Sequence, residues 1–275
     1  MILKFYGVRG SYPTPEKKFL KYGGNTPSVM VKYSKYAIIF DGGTGIIKAG
    51  KDLLKEKDIK EIYIFISHFH YDHIHGIPFF KLFFEKSSKK IKILGPSFSG
   101  KSFENLLDKY IKTPFIPFSI KELKGKEPFE LKTFKKEDKI RISEEAFVKT
   151  IYSSHHPLQG IHLFSFIAER KITYITDIEL TDEIIEELSE FARGSDILIF
   201  DSFLTKSDKE NRKRSFGHSS FEDALKIKKI SNSSKLYFFH YNPEYTDEKL
   251  DNLKNKFEKD GAFMSYEGLE VKLED

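Results

Sequence analysis

The stretch Ser67-His68-Phe69-His70-Tyr71-Asp72-His73-Ile74-His75-Gly76 determines how the rest of the chain is interpreted. It follows Ile62-Tyr63-Ile64-Phe65-Ile66, an uncharged run of β-branched and aromatic residues. Such a run predicts a strand that is buried on both faces of a helix-covered sheet. Four of the nine histidines in the chain lie within residues 68–75. A buried strand therefore delivers imidazoles and a carboxylate to a sheet edge, where α/β proteins place their ligands.

The spacing of these side chains favours metal binding. His68 and His70 point the same way in extended chain, so both imidazoles can converge on one ion. Asp72 and His73 follow at the start of a predicted helix and can direct two more ligands to a neighbouring point. Imidazole and carboxylate are the usual donors for zinc, manganese and iron. Packing alone does not explain this pattern, so we prefer a metal site to a surface histidine cluster or a helix cap.

His68-x-His70-x-Asp72-His73 resembles the signature of the metallo-β-lactamase fold superfamily. The resemblance covers nearly the whole chain and is to the phosphodiesterase-like branch, which includes ribonuclease Z and the carbon–phosphorus-lyase phosphodiesterase. Further motifs follow the order of that branch: Gly7-Val8-Arg9-Gly10-Ser11-Tyr12-Pro13, Tyr22-Gly23-Gly24-Asn25-Thr26, Asp41-Gly42-Gly43-Thr44-Gly45, Tyr174-Ile175-Thr176-Asp177, Gly217-His218-Ser219-Ser220 and Phe239-His240. The resemblance implies an α/β fold, a four-layer αβ/βα sandwich of two mixed β-sheets flanked by helices.

The ligand set is also taken from this resemblance. It implies two divalent ions held by seven side chains of this sequence, namely His68, His70, Asp72, His73, His156, Asp177 and His240. His68, His70 and His156 would hold the first ion. Asp72, His73 and His240 would hold the second, and Asp177 would bridge the two. Zinc is the first expectation for the metal, with manganese or iron as alternatives.

Three further histidines need separate interpretation. His155 competes with His156 for one ligand position, and we prefer His156 because the branch places its ligand directly before a proline. His75 and His162 are interpreted as structural residues.

The resemblance also implies a mechanism. Two ions roughly 3.5–4 Å apart lower the pKa of bound water from about 15.7 toward about 7, which provides a bridging hydroxide at neutral pH. Asp72 is expected to orient that hydroxide, and Asp41 to support the metal-binding loop without touching metal. His218 is expected to donate a proton to the leaving group or a hydrogen bond to a phosphoryl oxygen.

Composition is compatible with this interpretation. The 275 residues are near the upper limit for one hydrophobic core, and no linker or repeat divides them, so residues 1–275 are predicted to form a single hydrolase domain. The absence of cysteine excludes disulfides, thiolate ligands and the β-lactamase subtype with a cysteine at its second metal. A net charge of +5 suits an anionic substrate without requiring one. Short apolar runs and a start without a signal peptide predict a soluble, cytoplasmic protein.

The leading hypothesis is a dinuclear metal-dependent phosphodiesterase that acts on a small cyclic or linear nucleotide or a similar phosphodiester. One alternative keeps the metals but hydrolyses a lactone, a thioester or a β-lactam. Another is a metal-loaded binding or accessory protein without turnover. His218 favours phosphate over acyl substrates, and the complete ligand set favours turnover over binding alone.

Predictions about partners come from what the sequence lacks. Many members of the branch carry Tyr-Arg where this chain has Leu163-Phe164-Ser165, so a basic residue that could grip substrate is missing. The chain also lacks a long Gly/Pro-rich insertion of the kind that ribonuclease Z uses to hold tRNA. We therefore expect a small phosphodiester or nucleotide substrate rather than tRNA, and no membrane partner. A homodimer is left open.

Several local predictions can be checked directly. A helix is predicted to continue through 79–84, and a meander of short edge strands is predicted over 113–145. Thr181 is predicted to cap a helix, and Ser219 with Glu222 is predicted to form a capping box at the start of another.

Overall fold

The computed structural model describes residues 1–126, 129–157, 159–211 and 216–274. Its strands are β1 (Ile2–Gly7), β2 (Ser28–Tyr33), β3 (Tyr36–Phe40), β4 (Glu61–Phe65), β5 (Lys90–Pro96), β6 (Phe129–Phe134), β7 (Asp138–Arg141), β8 (Phe147–Ser153), β9 (Ile161–Ile167), β10 (Lys171–Ile175), β11 (Ile197–Asp201), β12 (Lys235–Phe239), β13 (Ala262–Met264) and β14 (Glu270–Lys272). Its α-helices are α1 (Gly45–Lys55), α2 (Tyr71–Ile74), α3 (Phe103–Tyr110), α4 (Ile120–Lys126), α5 (Ile185–Ala192), α6 (Lys206–Asn211), α7 (Phe221–Ser231) and α8 (Asp247–Phe257).

The chain divides into two compact units, each built on one seven-stranded sheet. The first unit comprises Met1–Gly7, Asn25–Lys136 and Gly268–Asp275, and the second comprises Val8–Gly24 and Glu137–Glu267. Whether they act as the single predicted domain stays a prediction.

The sheet of the first unit has the order β14-β1-β2-β3-β4-β5-β6. Pairing is antiparallel from β14 to β3 and parallel from β3 to β6. The central strand β4 is buried along Ile62–Phe65, which confirms the predicted strand with two covered faces. On one side the amphipathic helix α1 packs Ile46, Ala49 and Leu53 into the core.

The sheet of the second unit has the order β13-β12-β11-β10-β9-β8-β7. Here β10 to β13 are parallel, and β7 to β10 are antiparallel. Helices α7 and α8 pack on the parallel strands, and α5 packs on α7. Because neighbouring parallel strands end at the same edge, the residues after β10, β11 and β12 are brought together there. The predicted architecture of two mixed sheets flanked by helices is confirmed.

The start of α7 differs from the prediction by one residue. Ser220 is the N-cap: its Oγ accepts a hydrogen bond from the Asp223 amide at 3.1 Å, and Asp223 accepts one from the Ser220 amide at 3.0 Å. Ser219 and Glu222 therefore do not form the capping box. Ser219 Oγ instead accepts a hydrogen bond from the amide of Leu180, which anchors the loop that follows β10.

Three other local predictions were wrong. In place of a helix over 79–84 there are two short 3₁₀ helices, Ile77–Phe79 and Lys81–Phe83, and Pro78 in the first of them favours such a short element over a continuing α-helix. The segment 113–145 is no meander: it contains α4, while β6 and β7 belong to different sheets. Thr181 precedes a 3₁₀ turn but makes no side-chain cap.

Among the described residues, no helix is long and apolar enough to cross a membrane.

Candidate metal centre

In the first unit the four predicted ligands converge just beyond the end of β4. The ring of His68 lies 4.6 Å from that of His70 and 4.3 Å from that of His73, measured between centroids. His73 Nε2 is 3.3 Å from Asp72 Oδ2. His68, Asp72 and His73 are buried, and His70 is half-buried. Imidazoles and a carboxylate held this closely away from solvent are the donor chemistry of a divalent metal site.

Asp41 supports this loop from behind. One carboxylate oxygen accepts a hydrogen bond from the Ser67 amide at 2.8 Å, and the other accepts one from Ser67 Oγ at 3.0 Å. The same carboxylate lies 2.8 Å from His73 Nδ1. A proton on that nitrogen leaves Nε2 as the lone-pair donor, which is the tautomer a metal needs. This geometry suits the supporting role expected of Asp41.

In the second unit the remaining predicted ligands follow three strands. Asp177 follows β10, His240 follows β12, and Asp177 Oδ2 lies 3.1 Å from His240 Nε2. His156 lies beyond β8 and is 3% exposed, whereas His155 points to Glu183 near the surface, with 3.4 Å between Nε2 and Oε2. Among the described residues, His156 belongs to a group of His and Asp side chains close enough together to hold a metal ion, and His155 belongs to none. This is in line with the preference for His156.

Three of these residues have left-handed backbone conformations. Asp41, Asp177 and His240 have φ values of 62°, 49° and 63°. Aspartate and histidine tolerate this region better than most residues, but it still costs on the order of 1–3 kcal/mol. In each case the left-handed residue lies within two residues of the end of a buried strand. The sequence does not predict these left-handed positions, because none of the three residues is glycine.

Two glycines make room for the histidines of the second unit. A Cβ on Gly10 would lie 2.5 Å from His240 Cε1, so only glycine lets the Gly7–Gly10 segment pass under that ring. Gly217 has a φ of 84°, and a Cβ there would lie 2.3 Å from Pro157 Cδ and 2.9 Å from His156 Nδ1. Both glycines belong to motifs that carry the family resemblance, Gly7–Pro13 and Gly217–Ser220, and no structural role was predicted for either.

The loop at Arg9 is fixed to the chain that follows His240. Gly10 donates its amide to Tyr241 O at 2.9 Å, and Tyr241 donates its amide to Val8 O at 2.9 Å. The fully buried guanidinium of Arg9 donates to the carbonyl oxygens of Gly23 at 2.8 Å and Tyr245 at 2.6 Å. These bonds hold the backbone that directly follows His240, so Arg9 positions a predicted ligand from a distance.

His218 is paired with a carboxylate that the sequence analysis did not assign. His218 Nδ1 lies 3.1 Å from Asp201 Oδ2 and 3.9 Å from Asp177 Oδ1. Phe203 stacks on the imidazole, with 4.0 Å between centroids and 11° between planes. All are buried. Asp201 is the last residue of β11, which lies between the strands that precede Asp177 and His240. Its position at a strand end was the one feature of the sequence that could have identified it as a site residue.

We expect Asp201→Asn to slow turnover while leaving metal content unchanged. The amide keeps the shape of the side chain but removes the charge that stabilises a protonated His218, and such supporting partners typically contribute about 10–100-fold. The measurement is kcat on a phosphodiester with a poor leaving group, beside metal analysis. Asp223→Asn, which removes a carboxylate that caps α7 and pairs with Lys209, is the matched control. Loss of metal from Asp201→Asn would instead make Asp201 a ligand, since it can group with His218 and His240 around an ion.

The donor set fits a pair of divalent ions. The His/Asp clusters suit a dinuclear metal site, and the hydrogen bonds of Asp41 orient one imidazole for ligation.

Comparisons with known proteins agree with this site. The model of the family described as "Anti-Pycsar protein Apyc1" matches residues 18–264. The ribonuclease Z of Thermoplasma acidophilum is 30% identical over an alignment that covers 93% of this chain and 91% of that protein. Two solved structures share the fold. A diphosphatase of the PhnP family has a TM-score of 0.69 at 20% identity, with 99% of this chain and 98% of that chain covered. The short form of human tRNase Z has a TM-score of 0.68 at 18% identity, with both chains fully covered.

The expectation that tRNA is not a substrate was wrong. Relatives that match nearly the whole chain are ribonuclease Z enzymes, which act on tRNA. The missing insertion is only one means of binding RNA, so its absence does not exclude a tRNA substrate. The matches also set aside the interpretation as a binding protein without turnover. The chain therefore belongs to the anti-Pycsar protein Apyc1 family, in the phosphodiesterase-like branch of the metallo-β-lactamase fold superfamily, and is a metal-dependent hydrolase.

Proposed function

We propose that the protein hydrolyses a phosphodiester bond of a small cyclic or linear nucleotide at a centre of two divalent metal ions. His68, His70 and His156 would hold one ion, and Asp72, His73 and His240 the other. Asp177 would bridge them. Zinc is the first candidate for the metal because histidine and carboxylate dominate the donor set, and manganese and iron share these ligands.

The observation that carries this proposal is the buried Asp201–His218 pair beside Asp177. Bound ions at such a site acidify water and neutralise charge on phosphoryl oxygens. They do not supply a proton to a poor leaving group. A histidine whose Nδ1 faces a carboxylate can carry that proton on Nε2 at neutral pH. Acyl hydrolases of this fold rarely use a histidine in this Gly-His-Ser-Ser context, so the pair favours phosphate chemistry.

The other residues of the site have positioning roles. The stacked ring of Phe203 keeps the imidazole of His218 in one orientation. Asp41 holds His73, and Gly10 allows the close approach to His240. Asp72 would orient the attacking water through its carboxylate. Preorganised groups of this kind avoid reorganisation during the reaction, which is where much of catalysis arises.

A second candidate substrate is the 3′ end of a tRNA precursor. It is favoured by the relatives named ribonuclease Z, one of which is 30% identical over 93% of this chain. Both candidates need the same phosphodiester chemistry, so the site does not separate them.

The test compares kcat/KM of the metal-loaded protein on cyclic mononucleotides, linear dinucleotides and a tRNA precursor with a 3′ trailer. We expect measurable hydrolysis of at least one small nucleotide, and the ratio of its kcat/KM to that of the precursor decides between the two candidates. Bis(p-nitrophenyl) phosphate serves as the positive control, with nitrocefin and a lactone as negative controls. Preference for the tRNA precursor would establish the second candidate, and turnover of only the lactone or nitrocefin would contradict both.

A further inference from the structure

Tyr71 occupies an unusual place within the metal-binding motif. It lies between the predicted ligands His70 and Asp72, and it is 57% exposed. It is the first residue of the short helix α2, and its neighbours Asp72, His73 and Ile74 are all buried. The motif therefore presents one large aromatic ring to solvent beside a cluster of buried ligands.

The ring of Tyr71 is held in place by two aromatic contacts within the same unit. His75, four residues later on the same helical face, stacks on it with 4.3 Å between centroids and 27° between planes. Tyr110 of α3 meets it edge-on, with 6.1 Å between centroids and 89° between planes. With both contacts made, Tyr71 is still 57% exposed.

This arrangement differs from ordinary packing. A tyrosine that contributes to the core buries its ring, and a purely solubilising tyrosine needs no stacked support. An aromatic ring that is held in place by its neighbours and is still exposed is what proteins use to stack a nucleobase. The support by His75 and Tyr110 reduces the conformational freedom that the ring would otherwise lose on binding.

The position in the chain links this ring to the reacting phosphate. Consecutive Cα atoms are about 3.8 Å apart, so Tyr71 is a direct neighbour of two ligand positions. In a nucleotide one sugar separates the base from its phosphate. A ring next to the ligand positions can therefore contact the base while the phosphate lies at those ligands. We propose that Tyr71 stacks on the nucleobase of the substrate and thereby selects nucleotides over phosphodiesters without a base. This inference rests on the proposed function.

A fluorescent variant tests the contact without using activity. The chain contains no tryptophan, so Tyr71→Trp creates a single reporter at this position. A nucleoside monophosphate should quench its emission saturably, whereas ribose 5-phosphate, which has no base, should not. Tyr266→Trp, at another partly exposed tyrosine, is the matched control and should not respond to either ligand. Equal quenching by the nucleotide and by ribose 5-phosphate would overturn the proposal. So would the absence of quenching by a nucleotide that inhibits turnover by the same variant.

Kinetics separate this inference from the proposed function. Base stacking on an aromatic side chain typically changes binding by about 5–150-fold. Tyr71→Leu should therefore raise KM for a nucleotide substrate by a factor in that range with a smaller change in kcat, and Tyr71→Phe should behave like the wild type. The inhibition constant of ribose 5-phosphate should stay unchanged in both. If the wild type hydrolyses nucleotides and Tyr71→Leu leaves KM unaltered, only the stacking proposal fails. If the wild type hydrolyses no nucleotide, the proposed function fails, and the stacking proposal with it.

Discussion

His218→Ala is expected to retain its metal and to lose about 10²–10⁴-fold in kcat on a phosphodiester with a poor leaving group. The reason lies in the contacts of the imidazole. Nδ1 faces Asp201 at 3.1 Å and Phe203 stacks on the ring, so the histidine is oriented by groups other than the predicted metal ligands. Removing it should take away a proton donor and leave the ligand set complete.

The contrast between leaving groups is the decisive part of this experiment. p-Nitrophenolate departs without a proton, so the loss on bis(p-nitrophenyl) phosphate should be much smaller than on a nucleotide. His162→Ala, at a buried histidine on β9 that lies 3.2 Å from Thr150 Oγ1, is the matched control and should show no such contrast. Equal losses on both substrates would mean that His218 positions phosphate and donates no proton. Unchanged rates on both would remove it from the site.

Asp177→Ala is expected to have the larger effect on metal content. The carboxylate is buried, lies 3.1 Å from His240 Nε2 and accepts a hydrogen bond from Thr176 Oγ1 at 2.7 Å. A bridging ligand serves both ions, so its removal should reduce bound metal from about two ions per chain to below one and abolish measurable turnover.

Thermal unfolding provides an independent measure of the same loss. Metal that binds only the folded protein should raise the Tm of the wild type, and this increase should disappear in Asp177→Ala. Asp196→Ala, which removes a carboxylate that contacts Arg170 and Lys171 at the far end of the sheet, is the control and should keep the increase. Equal metal loss from Asp177→Ala and His218→Ala would show that one of the two residues is misassigned.

The parts of this protein that were predictable from sequence are those with a local signal. The run from Ile62 to Ile66 is apolar without interruption, so its burial could be predicted, and the histidines beyond it are adjacent in the chain. The two mixed sheets followed from the resemblance and are present. The ligand roles themselves stay predictions until metal binding is measured.

Asp201 was missed because its significance depends on strand order. It lies 17 residues before His218 in the chain, and only the parallel pairing of β11 between β10 and β12 brings it to the same edge. Arg9 is similar: its guanidinium bonds to carbonyl oxygens more than 230 residues away at Asn242 and Tyr245. Contacts of this kind leave no periodic pattern in the sequence.

The segment 113–145 shows a different limit. Alternating Lys and Glu residues favour short solvated strands, and strands did form as β6 and β7. The pattern cannot say which sheet each strand joins, because either edge offers free hydrogen-bonding groups. In the structure β6 pairs with β5 and β7 pairs with β8, so the chain leaves one sheet and enters the other between them.

The most direct test of the account is a metal titration of the apo protein followed by phosphodiesterase activity. Chelator-treated protein should be inactive on bis(p-nitrophenyl) phosphate, and activity should rise with added zinc or manganese until about two ions are bound per chain. Saturation at one ion, or hydrolysis that persists in the metal-free protein, would contradict a dinuclear hydrolytic centre.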